Sequence, residues 1–225
     1  MKEYSNKDIK NVVLLGSSKS GKTTLSEAML YEGKVIDRRG TVEDKNTVSD
    51  NDELEKVNQR SIYATPLYAE FMGKKVNIID APGSDDFVGG AISAFRVCEN
   101  GILVVNAQQG VEVGTSSWIR SADKHKIPLI VVVNHLDGEK ADWETTIAAL
   151  KEELGRKMII VQFPIATGAG FNGFIDVLTN KYYNFKDANG TREDLEIPAD
   201  LMDRAEEARQ ELIEKAAEYD DTLME

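Results

Sequence analysis

A run of small residues that ends in a lysine and two threonines is the first place where the sequence could do chemistry. It matches the pattern GxxxxGK[ST] and comprises Gly16, Ser17, Ser18, Lys19, Ser20, Gly21, Lys22, Thr23 and Thr24. In this pattern backbone N–H groups at a helix N-terminus face phosphate oxygens, the lysine adds a point charge, and the next hydroxyl ligates Mg²⁺. The run predicts a nucleotide phosphate site with Thr23 as a metal ligand, against the alternative of a glycine turn with a solvated lysine.

The second motif is the run Asp-Ala-Pro-Gly, from Asp80 to Gly83. An aspartate at a strand end can hold Mg²⁺ through water, and a glycine can bring its N–H against a third phosphate where a side chain would obstruct it. By itself the run is typical of an ordinary turn. Because it follows the phosphate loop by a predicted strand pair, it predicts that Asp80 serves the metal and that Gly83 serves the catalytic end of the nucleotide.

The tetrapeptide Asn-His-Leu-Asp at residues 134–137 determines the base. An aspartate can accept both the N1–H and the exocyclic amine of guanine, a donor pair that adenine lacks. A site built on such a pairing rejects the wrong base by roughly 10⁴. Asn134, His135 and Asp137 are therefore predicted to bind guanine, and Asp137 disfavours an ATPase or a kinase.

These polar runs follow predicted strands. Short aliphatic and β-branched runs predict strands at residues 12–15, 76–79, 102–105 and 129–133. Helical patterns lie at residues 22–31, 88–99, 115–125 and 142–154. The alternation predicts an α/β fold of the P-loop NTPase G-domain type, with a mostly parallel sheet and helices on both faces. Ligands of such sheets bind at the carboxyl ends of the strands, where the three runs lie.

The remaining segments are assigned from their polarity and period. Residues 32–58 are polar with little periodicity and predict a mobile loop, and residues 61–71 predict a strand antiparallel to 76–80. Further along we predict a strand at 158–165, a loop at 168–170, a short helix at 174–183 and a charged helix at 199–219. The expected organisation is a GTP-binding core at residues 1–155 and a small α/β unit at residues 156–225.

Composition limits the possible partners. The 225 residues carry a formal net charge of -12, which argues against a broad nucleic-acid-binding face. The only cysteine, Cys98, is expected to be a buried thiol, and Trp118 and Trp143 are expected to pack on helices. No apolar run is long enough for a membrane span. The sequence predicts a cytoplasmic protein, a monomer, with no membrane partner.

Beyond these motifs, the chain resembles the G domain of the translation elongation factor G family over most of its length. The loop at residues 38–42 and 46–50 is similar to the first switch of that family, and residues 127–134 are similar to its guanine strand. Residues 162–165, 171–176 and 220–225 resemble segments of a subdomain inserted in that family's G domain, which generic P-loop GTPases lack.

The resemblance implies a ribosome-bound factor that drives movement of tRNA and mRNA, with GTP/GDP as its ligand and Mg²⁺ as its cofactor. It also implies a loop behind the guanine that would come after residue 225. The chain is therefore expected to be a fragment of a longer protein, with an incomplete inserted subdomain.

The chain departs from the family pattern at the water-positioning residue. The family has a histidine after the third-phosphate motif, and this chain has Ser84, followed by Asp85 where an apolar residue is usual. A serine cannot carry the charge of a histidine and reaches less far. The resemblance thus implies that Ser84 occupies the catalytic position and that hydrolysis is attenuated.

Three other positions differ from the family. Lys19 replaces an aspartate and either neutralises phosphate charge or is a solvated surface lysine. His135 replaces a lysine that covers the purine. Tyr63 aligns with the threonine that binds Mg²⁺, and Ser61 or Thr65 are alternatives after a shift of register. A phenol is a poor substitute for a compact aliphatic hydroxyl beside a small octahedral ion.

Two hypotheses follow for the chain. One is a translocation GTPase in which another group, or water held by the backbone, replaces the missing histidine. The other is a ribosome-binding factor that uses GTP to set its conformation and hydrolyses it slowly or not at all. Ser84, Asp85 and Tyr63 favour the second. The acidic stretch at residues 200–225 predicts either a solvated face or a contact with a basic ribosomal protein.

Overall fold

The structure is a computed structural model, and it describes residues 3–155, 158–187 and 190–218. The chain divides into two compact units, Met1–His135 and Leu136–Glu225. The boundary that the sequence predicts between residues 155 and 156 falls inside the second unit. The first unit contains a five-stranded sheet and the second a four-stranded sheet.

The sheet of the first unit is mostly parallel. Its strands are β1 (Ile9–Leu15), β2 (Thr65–Phe71), β3 (Lys74–Asp80), β4 (Asn100–Asn106) and β5 (Leu129–Asn134). They lie in the order β2-β3-β1-β4-β5, and only β2 runs antiparallel, paired to β3. The four strands predicted for the core, the antiparallel pairing and the predicted fold class are confirmed.

The central strand β1 is covered on both faces. Val13, Leu14 and Leu15 are fully buried in succession. Because successive side chains of a strand point to opposite faces, such a run requires cover on each side. Helix α1 (Lys22–Glu32) supplies one cover, since its Leu25 and Met29 pack against the cluster that contains Leu14.

The loop predicted at residues 32–58 ends in a helix that the sequence reading missed. Helix α2 (Glu53–Asn58) begins with a capping box, in which Asp52 and Glu55 satisfy each other's backbone N–H groups. Several residues just before it are buried rather than solvated, among them Thr47, Ser49 and Asp50. The segment is therefore polar in sequence but partly buried in the structure.

The helix predicted at residues 88–99 is shorter in the structure. Helix α3 spans Val88–Ala94 and the next turns are irregular. The last predicted residue, Glu99, is instead hydrogen-bonded to β1: its N–H donates to the Asn11 carbonyl at 3.0 Å, and the Asn11 N–H donates to the Glu99 carboxylate at 2.6 Å. Helix α4 (Val113–His125) begins two residues before the predicted start.

The second unit has helices α5 (Trp143–Leu154) and α6 (Met202–Ala217) and an antiparallel sheet. Its strands are β6 (Gln162–Pro164), β7 (Gly173–Asp176), β8 (Lys181–Phe185) and β9 (Arg192–Leu195), in that order. Within this unit Arg204 of α6 lies over the ring of Phe163, 4.6 Å from its centroid. Residues 168–170, predicted as a loop, form a single 3₁₀ turn.

The short helix predicted at residues 174–183 is wrong. The segment is a hairpin of β7 and β8, in which Phe174 pairs with Tyr183. The Asp176 carboxylate accepts hydrogen bonds from the N–H and the hydroxyl of Thr179, and Asn180 has a φ of 54°. A side-chain turn of this kind competes with the helix, and the aromatic residues after it favour strand.

The expectations for Cys98, Trp118 and Trp143 are confirmed. Cys98 is buried, and burial, with a smaller effect of the Glu99 charge, raises the pKa of its thiol to about 11. Trp118 and Trp143 are buried on α4 and α5. Residues 220–225, part of the acidic stretch, lie outside the described residues. Among those described, no helix is long and apolar enough to cross a membrane.

Substitution of Gly173 tests how tightly the second sheet is packed. A Cβ at this position would collide with the carbonyl oxygen of Tyr183 on β8. We expect Gly173→Ala to lower the free energy of unfolding by about 1–3 kcal/mol, the usual cost of overpacking. Urea unfolding followed by circular dichroism measures it. In Gly170→Ala the new methyl group meets only Ala166 at ordinary contact, so an equal loss in that control would contradict the prediction.

Candidate functional site

The phosphate loop lies between the end of β1 and the start of α1, and its backbone requires glycine. Gly16 has a φ of 138° and Gly21 a φ of 96°, both outside the range that other residues adopt easily. A Cβ at Gly16 would collide with the carbonyl oxygen of Val104 on β4. Lys19 also has a positive φ, of 62°. Two of the three positive-φ positions of the loop are thus glycines, as the sequence pattern requires.

The amine of Lys22 is folded back onto this loop. It donates to the carbonyl oxygens of Gly16 and Ser17, each at 2.9 Å, and the residue is buried. Burial lowers the pKa of Lys22 to about 8, while the charges of Asp80 and Asp50 raise it. Negative charge added beside the amine would stabilise its protonated form. The lysine is thus held where a phosphate oxygen could replace a carbonyl as its partner.

Asp80, the last residue of β3, joins the phosphate loop to the loop before α2. Its Oδ2 accepts hydrogen bonds from the Thr23 hydroxyl at 3.0 Å and from the Ser49 hydroxyl at 2.7 Å. The residue is fully buried. Burial raises the pKa of Asp80, against the lowering effects of Ser49, Lys22 and Thr23. The structure thus brings together Lys22, Thr23 and Asp80, three residues that the sequence assigned to the site.

Asp50 is a further residue of the site that was not assigned from the sequence, and Ser61 was named there only as an alternative metal ligand. Asp50 is buried, and burial raises its pKa, while an interaction with the Ser61 side chain lowers it in part. The Ser61 hydroxyl lies 3.2 Å from that of Thr23. Asp50 lies within the residues 46–50 that resemble a first switch. That resemblance could have indicated Asp50 as a site residue. It was overlooked because the segment was assigned as a mobile loop.

Glu27 holds the same loop on the body of the first unit. It is buried on α1, and its two carboxylate oxygens accept the N–H of Val48 at 2.6 Å and the N–H of Gly40 at 2.8 Å. Glu27 is one turn after Thr23 on the same helix. The position of the loop is therefore fixed by the helix that begins at the phosphate loop.

Gly83 lies against the phosphate loop. A Cβ added there would be 2.5 Å from the Lys22 amine and 2.7 Å from the backbone nitrogen of Ser18. The next residue, Ser84, has its hydroxyl 3.4 Å from the Asp86 carboxylate and precedes a 3₁₀ turn at Asp85–Phe87. The side chain of Asp85 is outside the described part of the structure.

The end of β5 reaches the phosphate loop through Asn134. Its side-chain amide donates to the Ser20 carbonyl at 2.9 Å, and a Cβ at Gly21 would collide with that amide. His135 has a φ of 58°, and its buried Nε2 has no hydrogen-bond partner among the described residues. Asp137 belongs to the second unit, in a turn where the Gly168 N–H donates to the Leu136 carbonyl at 2.8 Å.

The donors around Asp80 fit Mg²⁺. Among the described residues, Oδ1 of Asp80 and Oδ1 of Asp50 are buried without a hydrogen-bond partner. The same residues contain no cluster of three or more histidine, cysteine or acidic side chains that could enclose a metal. Mg²⁺ usually takes one or two protein oxygens and completes its octahedron with phosphate and water. Thr23 and Asp80 would hold it in that manner.

A mostly parallel sheet with this loop at the end of β1, an aspartate at the end of β3 and the run at residues 134–137 defines the class of P-loop nucleotide-binding proteins. Comparison with protein-family models refines this class. Residues 7–219 match the model of the elongation factor Tu GTP binding domain. The chain therefore belongs to that family, and the predicted resemblance to elongation factor G is confirmed.

Individual relatives support the same conclusion. The chain is 35% identical over 217 residues to an elongation factor G-like protein of Thermotoga maritima, and 33% identical over 220 residues to elongation factor G of Mycoplasma genitalium. These alignments cover 96% and 97% of the chain but 30% and 32% of the relatives. The chain thus spans about a third of the length of the curated relatives it matches.

A solved structure shares the fold. A crystal structure of a protein from Thermus thermophilus superposes with a TM-score of 0.89 at 33% sequence identity. The match covers 96% of this chain and 32% of that one.

Glu27→Ala tests whether the buried carboxylate holds the loop. The change leaves two N–H groups without their acceptor, and each such group costs about 1–3 kcal/mol if it stays buried. We expect the loop to open instead, so that trypsin cleaves after Lys45 at least about tenfold faster, the effect of about 1.4 kcal/mol on local opening. Limited proteolysis with mass spectrometry measures the rate.

Glu32→Ala is the matched control, because Glu32 lies exposed on the same helix. Equal cleavage rates in the two variants would show that Glu27 does not hold the loop.

Proposed function

We propose that this chain is the guanine-nucleotide switch of an elongation factor G-like translation factor, with Mg²⁺ as cofactor and with attenuated GTP hydrolysis. The observation that carries the proposal is the hydrogen-bonded pair of Thr23 and Asp80 beside the buried amine of Lys22. Hydroxyl, carboxylate and amine are the three groups that a P-loop protein uses for phosphate and metal. Family membership agrees with this assignment.

The phosphates would be bound by residues 16–24. Backbone N–H groups of the loop and of the first turn of α1 are suited to the phosphate oxygens, because the positive end of the helix dipole lies there. Lys22 would exchange its carbonyl partners for phosphate oxygens. When bound, Mg²⁺ would neutralise charge on the phosphates, with Thr23 and Asp80 holding it. Gly83 would bring its N–H toward a third phosphate, at a position where a Cβ would collide with Lys22 and Ser18.

Guanine specificity would come from residues 134–137. Asn134 supports the phosphate loop, because its side-chain amide donates to the Ser20 carbonyl. Asp137 would pair with the N1–H and the amine of guanine. The imidazole of His135, whose Nε2 has no partner among the described residues, would take the place of the lysine stem that covers the purine in the resembling family.

Attenuated hydrolysis rests on Ser84. Its hydroxyl lies near the Asp86 carboxylate and carries no charge, so it is a weak substitute for a residue that positions water. Removal of a water-positioning or charge-stabilising group costs several orders of magnitude in nucleotide hydrolases. GTP would then act mainly by stabilising one conformation of the loop around Asp50 and Glu55.

The cellular role is proposed from the relatives. As elongation factor G is a translation factor, we assign this chain to a protein that acts in the cytoplasm on the ribosome and promotes movement of tRNA and mRNA. The net charge of -12 fits local protein or RNA contacts better than a broad nucleic-acid face. Residues 156–225 would belong to the inserted subdomain of the factor.

Base selection is tested by Asp137→Ala. We expect the unmodified chain to bind GTP and GDP in preference to ATP, and the variant to lose most of that preference, because the guanine donors lose their acceptor. Competition of each nucleotide against a fluorescent GDP derivative measures it. An unmodified chain that prefers ATP would overturn the assignment of Asp137. Asp200→Ala, at an exposed position, serves as the control.

Catalytic competence is tested by Ser84→His in the protein that carries this chain. We expect slow GTP turnover with ribosomes for the unmodified protein and at least about tenfold faster turnover for the variant, since a histidine restores a water-positioning group. Ser93→His, on the exposed side of α3, should leave the rate unchanged. Turnover as fast as that of an ordinary elongation factor in the unmodified protein would refute attenuation and support a fully active GTPase that uses another group.

A further inference from the structure

Tyr63, which aligns with the metal-binding threonine of the resembling family, is largely exposed to solvent. The residue is 54% exposed. Its backbone N–H donates to Oε1 of Glu55 at 3.0 Å, and the N–H of Ile62 donates to the same oxygen at 2.9 Å. Glu55 is itself buried at the start of α2. The register of the segment is therefore fixed by a buried carboxylate, and it leaves the phenol largely in solvent.

The same register brings Ser61 to the metal position. Its hydroxyl lies 3.2 Å from the Thr23 hydroxyl. Thr65, the other alternative, donates its hydroxyl to the Ser49 carbonyl at 3.2 Å and is the first residue of β2. Ser61 is thus the hydroxyl of this segment that reaches Thr23.

The spacing of the oxygens suits one small octahedral ion. Two ligands that lie about 2.1 Å from Mg²⁺ at right angles are about 3.0 Å apart. The Thr23 and Ser61 hydroxyls are 3.2 Å apart, and the Thr23 hydroxyl lies 3.0 Å from Oδ2 of Asp80. Both distances fit neighbouring corners of one coordination octahedron.

The buried carboxylates give an independent indication of a cation. Oδ1 of Asp50 and Oδ1 of Asp80 are buried, and neither has a hydrogen-bond partner among the described residues. Asp50 is 4% exposed and Asp80 is 0% exposed. Two acidic groups so placed cost free energy unless a positive charge or water satisfies them, and the Lys22 amine already donates to two carbonyls.

We propose that Ser61, and not Tyr63, supplies the second protein hydroxyl to Mg²⁺. The inference rests on the proposed function, because the ion is the one that accompanies GTP. The residue at position 63 then has no role in metal binding, which explains why it can be a tyrosine. Ser61 also links the ion to α2, since Glu55 fixes the residues directly after it.

The test is the Mg²⁺ dependence of the release of a non-hydrolysable fluorescent GTP analogue. For Ser61→Ala we expect the free Mg²⁺ concentration that half-maximally slows release to rise at least about tenfold, as metal affinity falls when a ligand or its support is lost. Ser61→Thr keeps the hydroxyl and should stay close to the unmodified chain. Tyr63→Phe should do the same, because the phenol contributes no ligand.

The outcomes separate the inference from the proposed function. If Ser61→Ala responds to Mg²⁺ as the unmodified chain does, or if Tyr63→Phe produces the loss, the inference is wrong. If the unmodified chain shows no Mg²⁺-dependent retention of the GTP analogue, the proposed function fails and the inference with it. Ser93→Ala removes an exposed hydroxyl on α3 and should leave the Mg²⁺ response unchanged.

Discussion

The site depends on one buried carboxylate. Asp80 ends β3 beneath the phosphate loop, is excluded from solvent, and receives the hydroxyls of Thr23 and Ser49 on one oxygen. A buried carboxylate is costly unless it is hydrogen-bonded or paired with a cation, and its other oxygen has no partner among the described residues. The arrangement is therefore satisfied in full only when positive charge or water is present. Through Asp80, the strand, the helix and the loop that meet there would all contribute to binding a ligand.

Other buried acids extend the same arrangement. Glu27 accepts the backbone of the loop at Gly40 and Val48, and Glu55 accepts the backbone at Ile62 and Tyr63. Backbone N–H groups satisfy a carboxylate without a neutralising side chain, and they fix the conformation of the chain that donates them. The segment between α1 and β2 is thus ordered by acidic residues. A change of charge at the phosphate loop would therefore act on the conformation of this segment.

The sequence predicted the parallel strands and the phosphate loop because both have strong local signals. Val12 to Leu15 form an unbroken apolar run, and Gly16 and Gly21 stand at the positions where the backbone needs positive φ. The predictions failed where a side chain decided the conformation. The Asp176 carboxylate accepts two hydrogen bonds from Thr179, and residues 174–183 form a hairpin. The spacing of apolar residues along the sequence cannot reveal such a turn.

The loop before β2 shows a different limit. Its polarity predicted solvent exposure, yet Ser49 and Asp50 are buried because they serve a polar centre and not an apolar core. The capping box of Asp52 and Glu55 was a readable signal for α2. The nearness of Ser61 to Thr23, 38 residues apart in sequence, depends on the fold as a whole. A motif at one position could not predict it.

Asp80 is expected to couple the nucleotide to Mg²⁺. The direct measurement is the affinity of the chain for GTP by calorimetry, with Mg²⁺ and with a chelator, for the unmodified chain and for Asp80→Asn. Asp86→Asn, at an exposed acid, is the control. We expect Mg²⁺ to strengthen GTP binding in the unmodified chain and in the control, and this effect to be at least about tenfold smaller in Asp80→Asn. An Asp80→Asn variant whose GTP affinity responds to Mg²⁺ as strongly as the unmodified chain would contradict it.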